Sequence, residues 1–160
     1  MTSSNKRKIV VSVIGSRKKG LKTDKLAYRV GKMVAESGAI LVCGGLTGAM
    51  ESAAKGAKEA GGLTIGLLPG KDKSDANPYI DVPIPTTIGF ARNAIVACAG
   101  DIVMALPGSY GTNSEICYAL VFKRPVIDLG RWKIKGMIKV KGLKHAEKIL
   151  KKMVKAISRQ

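Results

Sequence analysis

Residues 101–115, DIVMALPGSYGTNSE, contain the pattern that decides the fold. The apolar run over 101–106 predicts a buried β-strand, which Pro107 and Gly108 bring to an end. Apolar residues then recur at helical spacing over 112–122, so a helix follows the turn. A buried strand that passes through a glycine-containing turn into a helix is the repeating unit of a parallel α/β sheet.

The same unit recurs along the rest of the chain, where short runs of apolar residues alternate with amphipathic stretches that end at glycines. We expect strands at residues 9–14, 40–43, 63–68, 101–106 and 125–129, and helices at 26–38, 48–60, 90–99, 112–122 and 143–157. Strands that are apolar along their whole length are covered on both faces. The predicted fold class is therefore α/β: a single-domain, doubly wound, mostly parallel Rossmann-like sheet with helices on both faces.

Two segments are expected at the margins of the sheet. The segment of residues 82–86 is short and contains two prolines, which lack the N–H group that a central strand needs. Residues 132–140 alternate apolar residues with lysine, so 131–160 is predicted to form a basic edge strand or hairpin followed by a C-terminal helix. One domain over residues 1–160 is expected, with residues 1–7 disordered.

The net charge of +17 is concentrated at the two ends of the chain. Residues 1–32 contain ten Lys or Arg and one acid, residues 131–160 contain eleven and one, and the middle is close to neutral. Such an imbalance favours anionic partners, whether a phosphorylated small molecule, a nucleic acid or an acidic surface. The alternative is a lysine-rich surface that does no more than face solvent.

The cysteines and the hydropathy pattern predict a cytoplasmic protein with no membrane partner. The three cysteines form no Cys-x-x-Cys pair, which disfavours a disulfide framework or a zinc site and fits a reducing compartment. No apolar run reaches the roughly 18 residues that a membrane-spanning helix needs. The first apolar stretch is short and leads into basic residues, so we expect a strand there and not a signal peptide.

Glycine-containing turns fall at the carboxyl ends of the predicted strands, the edge at which open α/β sheets bind ligands. Glycine lets backbone N–H groups approach a ligand, and a helix N-terminus adds unpaired donors and partial positive charge. Two such turns predict a phosphate-binding edge, although tight turns also need glycine for geometry alone. The candidate binding residues are Gly15, Ser16, Gly44, Gly45, Thr47, Gly48, Pro69, Pro107, Gly108, Ser109, Tyr110, Gly111 and Thr112.

Several motifs with well-known chemistry are missing. No Lys-Ser or Lys-Thr follows the glycines, so the turns are not Walker loops, and no Gly-x-Gly-x-x-Gly marks a dinucleotide site. No Cys-His or Ser-His arrangement supports a hydrolase triad, and no metal ligands are expected.

Two charged residues near the turns have open interpretations. Thr112 and Glu115 have the spacing of a Thr-x-x-Glu capping box, which alone explains both residues. The alternative is that Glu115 faces the ligand as an acid, a base or a hydroxyl acceptor. Arg92 stands in an apolar context, where it either holds a carboxylate or phosphate in bidentate fashion or lies on the surface of a half-exposed helix.

Four features occur together: GGLTGAM at 44–50, AGGLTIGLLPG at 60–70, Arg92, and PGSYGTNSE at 107–115. This combination resembles the LOG family of cytokinin-activating nucleoside 5′-monophosphate phosphoribohydrolases, which were long misnamed lysine decarboxylases. The resemblance extends from about residue 8 to 130 and leaves out the basic C-terminal segment. The larger Rossmann-like superfamily also includes a molybdenum cofactor carrier protein of nearly this size and a DNA-processing protein that binds single strands.

The resemblance implies roles for individual residues. By position, Arg92 and Glu115 correspond to the catalytic arginine and glutamate of the family. The phosphate-binding turn of the family corresponds to Gly108, Gly111 and Thr112, and Met50 and Asn93 join the candidate ligand-binding residues.

Two positions depart from the pattern of the hydrolases. Ser109 replaces a glycine, and Asn93 replaces the lysine that follows the arginine. The carrier protein also lacks that lysine but keeps matching arginine and glutamate positions, so the pair of Arg92 and Glu115 fits an enzyme and a carrier alike.

Three functions stay open on this basis, each with a phosphorylated ligand or polyanion as partner, and the first is the one that the resemblance favours. The first is hydrolysis of the N-glycosidic bond of a nucleoside 5′-monophosphate, with Glu115 engaging the ribose or the attacking water and Arg92 orienting the base or ribose. The second is a non-catalytic carrier for the molybdenum cofactor, a pterin. The third, less favoured, is nucleic-acid binding through the basic ends. No cofactor is required, lysine decarboxylase activity is not expected, and the bound molecule is a nucleotide or the molybdenum cofactor.

A homo-oligomer, dimer or tetramer, is also expected. Members of the family associate through helices that flank the site, and the apolar helix at residues 90–99 is the candidate contact surface in this chain.

Overall fold

The computed structural model describes residues 7–159, in which strands and helices alternate along the chain. The strands are β1 Val10–Ile14, β2 Ile40–Cys43, β3 Thr64–Leu68, β4 Val82–Pro85, β5 Ile102–Ala105, β6 Val126–Asp128 and β7 Ile138–Lys139. The α-helices are α1 Leu21–Glu36, α2 Ala49–Glu59, α3 Arg92–Ala99, α4 Tyr110–Val121 and α5 Leu143–Ile157, and short 3₁₀ turns lie at Lys73–Asp75 and Gly89–Ala91.

All seven strands belong to one sheet in the order β4-β3-β2-β1-β5-β6-β7, and every neighbouring pair is parallel. The chain starts at the middle strand, builds the sheet outward to β4, and returns to β5 on the other side of β1. The strand order therefore reverses between β1 and β5, and ligands of open α/β sheets bind beyond the strand ends at such a reversal. The predicted α/β Rossmann-like class is confirmed.

Successive residues of the strands point to opposite faces and fill two separate cores. Along β5, Ile102 and Met104 belong to the core beneath α1, α2 and α5, whereas Val103 and Ala105 belong to the core beneath α3 and α4. All four are fully buried, as expected for a parallel strand that is covered on both sides.

Helices α1 and α2 pack backbone to backbone at Gly31. A β-carbon at this position would overlap the backbone of Ala53, most severely its carbonyl oxygen. Only glycine allows this approach, which brings α2 close to α1 on the same face of the sheet.

The C-terminal part of the sheet differs from the prediction. Strand β7 is an edge strand, but it contains two residues and pairs in parallel with β6, so the predicted hairpin is wrong. Residues 132–135 alternate in burial without forming a strand, because Trp132 and Ile134 pack on the core from a loop that turns at Gly136, with a φ of 96°. The indole N–H of Trp132 donates to the carbonyl of Leu106.

The predicted disorder of residues 1–7 falls outside the described residues except at Arg7. The guanidinium of Arg7 donates two hydrogen bonds to the carboxylate of Asp101, at 2.8 and 2.9 Å. This ion pair joins Arg7 to the residue before β5, and the disorder of residues 1–7 stays a prediction. Over residues 7–159, no helix is long and apolar enough to cross a membrane.

Candidate functional site

A cleft with a volume of about 440 Å³ opens at the carboxyl edge of the sheet, where the strand order reverses. Its walls come from the turns after β1, β2 and β3, from the start of α3, and from the first turns of α4. The structure brings these predicted site residues together in its lining: Gly15, Met50, Pro69, Arg92, Asn93, Ser109, Gly111, Thr112 and Glu115. Their roles stay predictions.

The remaining predicted residues support the cleft from behind or lie beside it. Ser16 joins two turns, since its N–H donates to the carbonyl of Pro107 and its own carbonyl accepts from Ala49. The hydroxyl of Thr47 donates to the carbonyl of Arg17. The other predicted residues outside the lining are Gly44, Gly45, Gly48, Pro107, Gly108 and Tyr110.

The floor of the cleft contains a buried arginine beside a buried glutamate. Arg92 opens α3 and is 7% exposed, and Glu115, in α4, is 6% exposed. Arg92 Nη1 lies 3.8 Å from Glu115 Oε1, which is too long for a hydrogen bond but close enough for the guanidinium to affect the titration of the carboxyl. The alternative of a surface arginine on a half-exposed helix is therefore wrong, because the start of α3 turns Arg92 inward.

The guanidinium of Arg92 is held on one side and free on the other. Its Nη1 donates to Asn93 Oδ1 at 2.8 Å, and its Nη2 donates to the carbonyl of Gly44 at 3.3 Å. Its Nε is buried and has no hydrogen-bond partner. A buried donor of this kind costs free energy unless a ligand or a water accepts its hydrogen bond.

Gly44 makes this position of the guanidinium possible. A β-carbon on Gly44 would lie 2.7 Å from Arg92 Nη2 and 2.6 Å from the sulfur of Met50. A side chain at Gly44, in the turn after β2, would therefore displace the guanidinium of Arg92, 48 residues away in sequence, or the sulfur of Met50.

Burial dominates the titration of the two charged groups. It raises the pKa of Glu115 from 4.5 to about 8, although the nearby charge of Arg92 acts in the opposite direction. Burial also lowers the pKa of the Arg92 guanidinium, while Glu115 acts to raise it. At neutral pH the carboxyl of Glu115 is therefore mostly protonated and can donate as well as accept a hydrogen bond.

The capping-box interpretation of Thr112 and Glu115 is wrong. Helix α4 begins at Tyr110, two residues before the predicted start, and no side chain caps it. The turn ends at Ser109, whose extended backbone leads directly into the helix, so Thr112 and Glu115 both lie inside α4. Glu115 then points into the cleft from the second turn of the helix, and its carboxyl has no hydrogen-bond partner within the described residues to explain its burial.

The first turn of α4 presents unpaired backbone donors to the cleft. The first N–H groups of a helix have no partners within it and carry partial positive charge. Ser109, Gly111 and Thr112 of this turn line the cleft, as does the exposed cation Arg17. This part of the cleft can hold an anion such as phosphate.

Four lining residues escaped the sequence prediction: Arg17, Leu46, Gly89 and Phe90. The first two adjoin predicted positions in the turns after β1 and β2, so including whole turns would have found them. Phe90 lies two residues before Arg92 and is 83% exposed, an unusual state for an aromatic residue. Its exposure is set by the 3₁₀ turn before α3, which no sequence signal indicated.

Comparison with known proteins shows the family of the chain. The model of the SLOG cluster4 family matches residues 8–157, nearly the whole chain. The chain belongs to the SLOG cluster4 family. The resemblance to the LOG-like Rossmann superfamily is thereby confirmed, and it includes the basic C-terminal segment that the sequence motifs left out.

Three relatives of this SLOG cluster4 protein show how the similarity is distributed. An uncharacterised protein of Archaeoglobus fulgidus is 46% identical over 69% of this chain and 72% of its own. The molybdenum cofactor binding protein of the phototrophic bacterium Rippkaea orientalis is 40% identical over 76% of each chain, with a TM-score of 0.72. The molybdenum cofactor carrier protein of Chlamydomonas reinhardtii is 33% identical over 93% of this chain and 99% of its own, with a TM-score of 0.84. These similarities support a binding role for this SLOG cluster4 protein.

Proposed function

We propose that this chain is a carrier that binds a phosphorylated pterin, the molybdenum cofactor, in the cleft at the carboxyl edge of its sheet. Buried Arg92 carries the proposal, because it lines the cleft and its Nε has no hydrogen-bond partner among the described residues, so that a molecule bound in the cleft is a candidate acceptor. The class of molecule follows from the two relatives whose names state the molybdenum cofactor.

The residues present fit such a molecule. The N–H groups at the start of α4 and the cation of Arg17 suit a phosphate. Leu46, Met50 and Phe90 provide apolar surface for a flat ring. Ring nitrogens and carbonyls need both donors and acceptors, which Arg92 Nε and the protonated carboxyl of Glu115 provide at the floor.

A second candidate function is the hydrolysis of a nucleoside 5′-monophosphate, and the state of Glu115 favours it. A carboxyl with a pKa of about 8 is poised for acid–base catalysis near neutral pH. Asn93 counts against it, since an amide that accepts from Arg92 and donates to Ser114 occupies the position at which the resembling hydrolases have a lysine.

Two assays on the same preparations distinguish the candidates. The protein is purified without oxygen from a host that makes molybdenum cofactor, and released pterin is oxidised and measured by fluorescence. We expect near-stoichiometric pterin on the parent protein and on Arg29→Ala, an exposed-arginine control, and a loss of tenfold or more on Arg92→Ala, on the scale of one lost charged hydrogen bond.

The second assay measures the release of base from AMP, GMP, CMP, UMP and IMP. A carrier gives no release above a blank. If base is released in a way that depends on Glu115, and the purified protein contains no pterin, the chain is a hydrolase and the carrier proposal is wrong.

We also propose that the chain forms a homo-oligomer through the outer faces of α3 and α4. Neither helix exposes a charged side chain, because their two charged residues, Arg92 and Glu115, are buried. The exposed faces carry Ile95, Tyr118 and Val121. An exposed group of large apolar side chains is typical of an interaction surface, and a second copy of the chain offers the matching apolar surface.

A further inference from the structure

Helix α5 carries a concentrated positive charge that the ligand cleft does not use. Six cations that project from or just beyond this helix form what we call the α5 stripe: Lys144, Lys148, Lys151, Lys152, Lys155 and Arg159. At 100° per residue they fall within one sector of about 100°, and all are exposed. The one acid on the helix, Glu147, pairs with Lys151, so most of the stripe is left uncompensated.

The opposite side of α5 packs on the core. Ala146, Leu150 and Val154 are buried against the sheet together with α1 and α2. A basic amphipathic helix that binds a membrane must insert its apolar side into the lipid. Since that side of α5 is already covered, an anionic membrane is a poor match for the stripe.

The composition of the stripe also disfavours two other partners, an acidic protein surface and a single-stranded nucleic acid. Protein interfaces are depleted in lysine and enriched in aromatic residues at their centres, and the stripe is almost entirely lysine. Single-stranded nucleic acids are held by bases that stack on exposed aromatic rings. Residues 141–159 contain no Phe, Tyr or Trp, and the nearby Trp132 packs on the core.

Contacts to the phosphates of a duplex need cations and little else. From Lys144 to Arg159 the stripe extends about 22 Å at 1.5 Å per residue, and B-DNA carries one charge per about 1.7 Å of its axis. The DNA major groove, about 12 Å wide, admits a helix, whereas that of duplex RNA is narrow and deep. We propose that the α5 stripe binds the phosphate backbone of duplex DNA without reading its sequence.

Fluorescence anisotropy with a labelled DNA duplex of about 30 base pairs tests the proposal. With six phosphate contacts, affinity should fall roughly a thousandfold between about 50 and 200 mM salt. The triple variant Lys144→Gln, Lys148→Gln, Lys155→Gln should lower the slope of log K against log salt by about 2.7. Its matched control replaces Lys22, Lys71 and Lys73 by Gln, three exposed lysines elsewhere, and should leave the slope within one unit of the parent.

Outcomes that differ from these expected slopes overturn the proposal. Equal losses in the two triple variants would mean that net charge alone drives binding. Tighter binding to single-stranded DNA, to duplex RNA or to vesicles with anionic lipid would assign the stripe to that partner, and no binding at low salt would leave it a solvated surface. Neither triple variant changes a residue of the cleft, so pterin content should stay at the parent level and report independently on the carrier function.

Discussion

Glu115 makes the free energy of unfolding depend on pH. Its pKa is about 8 in the folded chain and near 4.5 when unfolded, because burial disfavours the charged form. Between these two values the unfolded chain releases a proton that the folded chain keeps. The free energy of unfolding therefore decreases as pH rises from about 4.5 to about 8, and this contribution is constant above that range.

Glu115→Gln should remove this dependence, since the amide does not titrate. We expect the variant to gain stability relative to the parent as pH rises from 5 to 8, measured by urea unfolding across that range. Parallel pH curves for the two proteins would show that Glu115 is ionised in the folded chain, which contradicts the assignment of its proton.

The contact between helices α1 and α2 can be tested by adding a single methyl group at Gly31. Gly31→Ala places a β-carbon against the carbonyl of Ala53. Alanine gains about 1 kcal/mol in helix propensity, but the overlap pushes the helices apart and outweighs it. We expect a net loss of about 1–3 kcal/mol in urea unfolding, and a change below about 0.5 kcal/mol for the exposed control Lys32→Ala on the same helix. Equal stability of the two variants would mean that α1 and α2 separate at little cost.

Most elements could be predicted from the sequence because local signals agree with tertiary packing. β-Branched runs bounded by glycine placed β1 and β2 within one residue, and the apolar stripe of α5 gave both of its ends. The start of α4 was missed because Thr112 and Glu115 imitate a cap, whereas the actual first turn has none. Loop 132–137 imitates a strand because core packing, rather than a ladder of hydrogen bonds, imposes its alternation.

The candidate site was predicted in its residues but not in its geometry. Arg92 and Glu115 stood out through the family resemblance, yet their 3.8 Å approach depends on how α3 packs beside α4. No local pattern records that packing, nor the missing partner of Arg92 Nε. Phe90 was missed because its exposure at the rim results from the turn that precedes α3.

The two sides of the whole molecule differ in chemistry. Helices α3 and α4 present an apolar surface on one face of the sheet, and α5 presents its lysines on the other. If two copies meet through α3 and α4, both α5 stripes face outward. The proposed association and the proposed DNA binding therefore involve separate surfaces, and we expect them to be independent.

Val121→Glu tests the association, since Val121 is 73% exposed on α4. Light scattering should give the parent a multiple of the 16.9 kDa chain mass and give the variant a smaller assembly. A buried carboxylate at an apolar contact costs several times the thermal energy. Leu21→Glu, equally exposed at 73% on α1, is the matched control and should keep the parent mass. A parent protein of 16.9 kDa at micromolar concentration would contradict the oligomer.

The position of β1 in the middle of the sheet also affects how the chain folds as it is synthesised. One edge of β1 pairs with β2, which follows soon after, but the other waits for β5. At ordinary rates of translation, the intervening residues take on the order of ten seconds to emerge. During that time a nascent chain exposes an open edge on an apolar strand, a template for pairing with other chains. Fragments that stop before Ile102 should aggregate, and newly made chains should depend on chaperones until β5 leaves the ribosome.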